Sequence, residues 1–162
     1  QGRSIFEEEC TKQALTEMGN PLDVLSQVVD FEIFRKDLET TVLPIERKSN
    51  AGRPPKDPVF MFKVLVLQRL YGLQDGQTEY QIKDRMSFRQ FLGIENVDDV
   101  PDQKTIWKFK EILSKSGIID TLFNVFHKEL ESKGLIYNEG KLIDASFVVA
   151  PSNATQERKT PR

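Results

Sequence analysis

Residues 58 to 71, Pro-Val-Phe-Met-Phe-Lys-Val-Leu-Val-Leu-Gln-Arg-Leu-Tyr, are apolar on nearly every side of the helix they predict. Pro58 suits a first helical position and Gly72 a left-handed stop. Val59, Phe60, Met61, Phe62, Val64, Leu65, Val66, Leu67 and Leu70 circle the helix axis, so no wide polar face is left for water. The run is also shorter than the roughly 18 apolar residues a membrane span needs. Such a helix is stable only when other elements surround it. The rest of the chain must therefore wrap it, which predicts a mainly α fold: a helical bundle with segment 58–71 at its centre.

The surrounding helices can be read from their starts and stops. Asn20-Pro21 is an N-cap followed by a first-turn proline, with Leu22, Leu25 and Val28/Val29 at helical spacing. Asp30 caps a second helix carrying Phe31, Phe34, Leu38 and Val42, and Pro44 is expected to end it. A basic linker, 46–57, follows. From Glu46 to Lys56 it holds four cations against one acid, and Pro54-Pro55 keeps it extended. Thr78 with Gln81, and Ser87 with Gln90, have capping-box spacing, predicting short helices over 78–86 and 88–92 that stop at Gly93. Asp102 caps a helix running to Ser114 with Ile106, Phe109 and Leu113 as its buried stripe, and Gly117 breaks it. Ile118/Ile119, Leu122/Phe123, Phe126 and Leu130 define a last amphipathic helix, closed by Gly134.

Beyond Gly134 the period changes from helical to alternating. Leu135-Ile136-Tyr137, a turn at Asn138-Glu139-Gly140, and residues 141–149 predict a β-hairpin. Residues 1–18 are expected to form a loose helix or a tail, and 152–162 a disordered tail. The domain organisation is thus a tail, a helical domain over 19–133, and strands over 134–151.

Composition narrows the function classes. With 38% hydrophobic residues and 11 Phe among 162 residues, the chain can bury a core. A formal net charge of −2 gives no global signature of polyanion binding, so any such surface has to be local. One cysteine, Cys10, excludes an internal disulfide framework and is read as a thiol without a role in a reducing compartment. No signal-peptide pattern and no membrane span are present, so the cytoplasm is the expected location.

Two local basic features stand out. Between 78 and 114 a short capped helix, a connection and a second helix form a helix-turn-helix-like pair. Lys104, Thr105, Lys108 and Lys110 lie on the second helix, and Lys83, Arg85 and Arg89 on the solvent side of the region before it. Lysines neutralise phosphates, and a helix N-terminus can enter the major groove. The connection, 94–101, is longer than the usual three or four residues. The competing interpretation is a solvated helical face. The second feature is Gly52-Arg53-Pro54 with Lys56, similar to the core of a minor-groove hook; Ala51 stands where a further basic residue would help, and a plain linker is the alternative. The charge over 47–63 is +4.

Three single residues carry chemistry worth weighing. His127 has no second His or Cys nearby, which argues against a metal role. Trp107 sits on a basic helix, where it either stacks on a base or packs in the core. Asp144 lies within the apolar strand Lys141-Leu142-Ile143-Asp144-Ala145-Ser146-Phe147. A buried ionised carboxylate needs a partner, which is either a hydrogen-bond donor or a metal ion of the kind used in phosphoryl transfer.

Taken in order, several blocks resemble the amino-terminal region of bacterial insertion-sequence transposases of the IS-five type. They are Gly52-Arg53-Pro54-Pro55, Phe62-Lys63, Leu67-Gln68-Arg69, Gln77-Thr78-Glu79, Asp84-Arg85 to Ser87-Phe88, Phe91-Leu92-Gly93, Pro101-Asp102, Thr105-Ile106-Trp107, Gly134-Leu135-Ile136 and Ile143-Asp144-Ala145-Ser146-Phe147. The resemblance covers about residues 19–151. It implies a helical amino-terminal domain followed by the first strand of an RNase H-like catalytic domain. Asp144 would be the first acid of that family's Asp-Asp-Glu triad and a ligand for Mg2+, in an enzyme that cuts element ends and joins them to target DNA. The second Asp and the Glu do not appear in this sequence, and residues 145–162 hold only Glu157. The expectation is a truncated transposase that binds terminal inverted repeats of a transposable element through its helical region, without cofactor or catalytic activity of its own. It would act near the bacterial nucleoid in DNA transposition and recombination. The rival is an assembly module that associates with a full-length transposase or with itself and inhibits it.

Overall fold

In the computed structural model, residues 19–49, 55–138 and 141–144 are described. Helix α1 (Pro21–Val28) begins at Asn20, whose side chain accepts from the Leu22 N–H at 3.2 Å. A short 3-10 turn (Phe31–Phe34), capped by Asp30, runs into α2 (Arg35–Ser49). Helix α3 (Pro58–Tyr71) follows and ends at Gly72, whose φ of 62° is the left-handed conformation that stops a helix. Helices α4 (Asp75–Asp84) and α5 (Met86–Leu92) meet at Arg85, and a 3-10 turn (Val97–Asp99) leads to α6 (Gln103–Lys115) and α7 (Ile119–Ser132). Strands β1 (Leu135–Asn138) and β2 (Lys141–Asp144) pair antiparallel, with Leu135 opposite Asp144 and Asn138 opposite Lys141. The expected continuation of the second strand past Asp144 lies outside the described residues, as do the segment 1–18, Cys10 and Arg53.

Ten of the fourteen residues of α3 are buried, and α2, α4, α5, α6 and the first 3-10 turn all pack on it. It is the centre of the bundle, as its pattern requires. Its Phe62 belongs to a closed circuit of rings. Phe31, Phe34, Phe62, Phe123 and Phe126 follow one another at centroid distances of 6.2, 4.7, 5.3 and 6.4 Å, and Phe126 returns to Phe31 at 6.1 Å. Ring pairs at such distances contribute roughly 0.5–1.5 kcal/mol each beyond their area. The circuit joins the first 3-10 turn, α3 and α7, elements far apart in sequence.

Three expected boundaries are corrected. Pro44 does not end the second helix; α2 continues to Ser49, so the first residues of the expected linker, 46–49, are helical. Proline removes the bond that the carbonyl of Thr40 would accept, but Thr40 is exposed and water can serve that carbonyl. Buried Leu38 and Val42 meanwhile hold the helix on the core. The helix expected from Thr78 begins at Asp75 instead. Its reciprocal cap lies one turn earlier, where the Gln77 side chain accepts from the Gln74 N–H at 2.9 Å. Thr78 is a fully buried interior residue. Ser87 likewise sits inside α5, whose N-cap is Arg85.

Candidate nucleic-acid interface

Helix α6 shows most plainly how the sequence builds a surface. Asp102 caps it, its carboxylate accepting from the Thr105 N–H at 2.8 Å. Ile106, Phe109, Ile112 and Leu113 form the buried stripe. Lys104, Thr105, Trp107 and Lys108 are all exposed on the remaining arc of the first two turns. Lys104 and Lys108 are one turn apart and have no ion-pair partner among the described residues.

The other flank of α6 is tied to α4. The Gln103 N–H donates to Glu79 Oε1 at 2.7 Å, and Lys110 Nζ to Asp75 Oδ1 at 2.6 Å. Asp75 also accepts from Gln68 Nε2 at 2.7 Å, and the same amide nitrogen donates to Thr78 Oγ1 at 3.0 Å. The Thr78 hydroxyl donates onward to the Gln74 carbonyl at 2.8 Å. This network links the central helix α3, through α4, to α6. A Cβ at Gly76 would lie 3.0 Å from Oε1 at the flexible end of Gln103, so these two residues are neighbours across the α4–α6 contact. The partner of α6 is thus α4, with α5 and the loop 93–102 intervening. Within the stretch 78–114, expected to hold a helix-turn-helix-like pair, α4 packs against both α5 and α6.

The structure divides the cationic candidates into two groups. Lys83 pairs with Glu79 at 3.0 Å, and Lys110 with Asp75. Arg89 donates to the Lys83 carbonyl near the end of α4, where a cation also suits the helix dipole. Arg85 lies over the rings of Phe88 and Tyr71 at 5.1 and 5.8 Å, with its polar edge exposed. Lys56 donates to the Asp99 carbonyl at 2.9 Å. These side chains have structural occupations, whereas Lys104, Thr105 and Lys108 face water together.

A second basic region borders a surface hollow of about 430 Å3, lined by Lys56, Asp57, Phe60, Lys63, Ile94 and Asp99 among others. Lys63 lies over Phe31 and Phe91 at 5.3 and 5.7 Å. Beside it Arg35 binds Glu32 at 2.5 and 3.0 Å, Asp57 at 2.7 and 3.1 Å, and Glu39 at 3.1 Å. The guanidinium hydrogen bonds hold the carboxyls of Glu32 and Asp57 below their ordinary range and raise the pKa of Arg35 itself. Glu32, Asp57 and Asp99 line the hollow together with Lys56 and Lys63, so its field is mixed.

Sequence reasoning did not single out Tyr80, which is 65% exposed on α4, and left Trp107 undecided between core and surface; it is 56% exposed. The signal for Trp107 was available, since it falls outside the Ile106–Phe109–Leu113 stripe. His127 is half-buried beside Phe126, and no group of three or more His, Cys, Asp or Glu able to hold a metal occurs among the described residues. The backbone of Asp144 ends β2, opposite Leu135. No helix among the described residues is long and apolar enough to cross a membrane.

No solved structure matches the chain. A family model described as "Transposase domain (DUF772)" matches residues 9–111, a span that takes in α1 to α5 and most of α6. That span is more than half of the 162 residues and includes both the central helix and the α4–α6 pair. The chain belongs to the transposase domain (DUF772) family.

Proposed function

We propose that the helical region is the DNA-binding part of an insertion-sequence transposase, and that it contacts the element's terminal inverted repeats through the first two turns of α6. The observation that carries this is the cluster of exposed Lys104, Thr105 and Lys108, without charged partners among the described residues, at the capped N-terminal end of a rigidly held helix. Cations in that position neutralise phosphates, and a hydroxyl beside them can hydrogen-bond a phosphate or a base edge. Family membership supplies the role in transposition, and the surface supplies the residues. Arg85 edges the same region, while Arg53 and Lys56 belong to a second basic segment.

The likeness to IS-five-type transposases supports a further part of the proposal. Asp144 would stand on the first strand of an RNase H-like catalytic fold, as one acid of an Asp-Asp-Glu set that binds Mg2+. The described residues do not assemble such a metal site. The function proposed for the helical region is recognition of DNA.

The test is fluorescence anisotropy with a duplex carrying the terminal inverted repeat and a scrambled duplex, at about 50 and 200 mM salt. Binding should be measurable at low salt and weaken steeply at high salt. Combined Lys104→Ala and Lys108→Ala should lower the salt slope by about 2, roughly 1 for each phosphate no longer neutralised, with helical circular dichroism unchanged. Absence of binding at low salt overturns the proposal. Unchanged affinity of the double variant moves the DNA-binding surface to the basic segment 47–63.

A further inference from the structure

Tyr80 and Trp107 are the two most exposed large apolar side chains described, and both belong to the helix pair α4–α6. Helical spacing places them along one seam. Tyr80 is one turn beyond Gly76, and Trp107 one turn beyond Gln103, two residues that neighbour each other across the pair. The ties run Asp75 to Lys110 and Glu79 to Gln103, so the helices cross in opposite senses. Tyr80 and Trp107 therefore lie one turn to either side of the Gly76–Gln103 contact, offset by about 10 Å along the helix axes given a pitch of about 5.4 Å per turn. Lys104, exposed and without an ion-pair partner among the described residues, lies three residues before Trp107 on the outer side of α6, and Lys108 continues the same face.

Exposed rings interleaved with unpaired cations match one kind of occupant. A hydrophobic protein partner would want apolar neighbours, but the residues beside these rings are Gln103, Lys104, Lys108 and the Lys83–Glu79 pair. Fully paired duplex offers phosphates to the lysines while keeping its base faces stacked and out of reach. Unpaired DNA offers both phosphates and free base faces.

We infer that the α4–α6 seam is a stacking site for unpaired DNA bases, with Tyr80 and Trp107 as the two platforms and Lys104 and Lys108, beside Trp107, holding the backbone. The inference rests on the DNA-binding proposal above and narrows it to a DNA form. A transposase domain with this site would favour element ends in which some bases are unpaired over fully closed duplex.

Trp107 is the sole tryptophan, so tryptophan emission of the full chain, excited where tyrosine does not absorb, reports on this seam alone. Titration with an oligothymidylate of about fifteen nucleotides, which cannot pair with itself, should quench Trp107 emission. A duplex carrying a short unpaired thymidine tract should bind more tightly than the blunt duplex of equal length. Trp107→Leu and Tyr80→Leu, followed by anisotropy of a labelled oligothymidylate, should each weaken binding by about 5- to 100-fold, and Trp107→Phe should retain most of it. Both positions are exposed, so unchanged helical circular dichroism separates lost stacking from lost folding. Oligothymidylate binding with no change in Trp107 emission and no effect of either leucine variant overturns the inference while leaving duplex recognition standing. Quenching that depends on protein concentration without DNA overturns it in favour of a second copy on the seam. No binding to either DNA form at low salt removes both proposals together.

Discussion

Thr78 shows how a single hydroxyl can organise a surface it never reaches. It is fully buried, accepts from the Gln68 amide and donates to the Gln74 carbonyl, while Gln68 shares its other proton with Asp75. Thr78→Val keeps the shape but leaves the amide of Gln68 one acceptor short. The variant should lose about 1–2 kcal/mol in urea unfolding. Because Asp75 anchors Lys110, it should also loosen amide protection around Lys110, in the second half of α6, in hydrogen exchange. Arg35 acts differently, through charge. Glu32 and Asp57 have folded pKa values below their ordinary 4.5 and 3.8, so the stability they confer is present above those values and lost as pH falls through the lowered ones. The stability difference between the parent and Arg35→Met should therefore be largest at neutral pH and shrink below about pH 4. A difference that grows on acidification would contradict the guanidinium as the cause of the shifts.

Among the elements, α2 is where local preference and packing disagree most. Pro44 removes a backbone hydrogen bond and, through its ring, disfavours helix at Leu43, yet the helix persists for five residues beyond it. Docking on α3 and α6 supplies what the proline withholds. Pro44→Ala should restore the bond to Thr40 and raise stability by roughly 1–3 kcal/mol, visible as a higher thermal midpoint. Helix α6 is the opposite case, where every local signal agrees. The Asp102 cap, the apolar stripe and the position of the lysines were all readable in advance. What was not readable is which lysines remain free. Lys104 and Lys108 project away from the core, whereas Lys110, of the same residue type and on the same helix, is claimed by Asp75 from 35 residues away. Composition and spacing treat the three alike, and only the placement of α4 separates them.

For the molecule as a whole, one helix bears most of the organisation. Phe62 is fully buried at the centre of the ring circuit, so Phe62→Ala should cost about 3–5 kcal/mol, a large part of a net stability of about 5–15 kcal/mol. A marked fall in the urea midpoint measures it, and a small change would mean that the bundle closes around the cavity. The sequence alone determined that segment 58–71 must be surrounded, because it has no polar face to offer water. It also determined the stops at Gly72, Gly93, Gly117 and Gly134, where glycine takes positive φ that other residues resist. The caps at Asn20, Asp30 and Asp102 were legible for the same local reason, a side-chain oxygen within reach of the next free N–H groups. Tertiary structure decided what local chemistry leaves open. It carried α2 through Pro44, started α4 at Asp75 and buried Thr78. It also bound Lys110 to Asp75, leaving Lys104 and Lys108 exposed without ion-pair partners among the described residues. Caps and stops act within one helical turn and are written in neighbouring residues. The charge and exposure of a surface depend on which distant residues come to lie beside it.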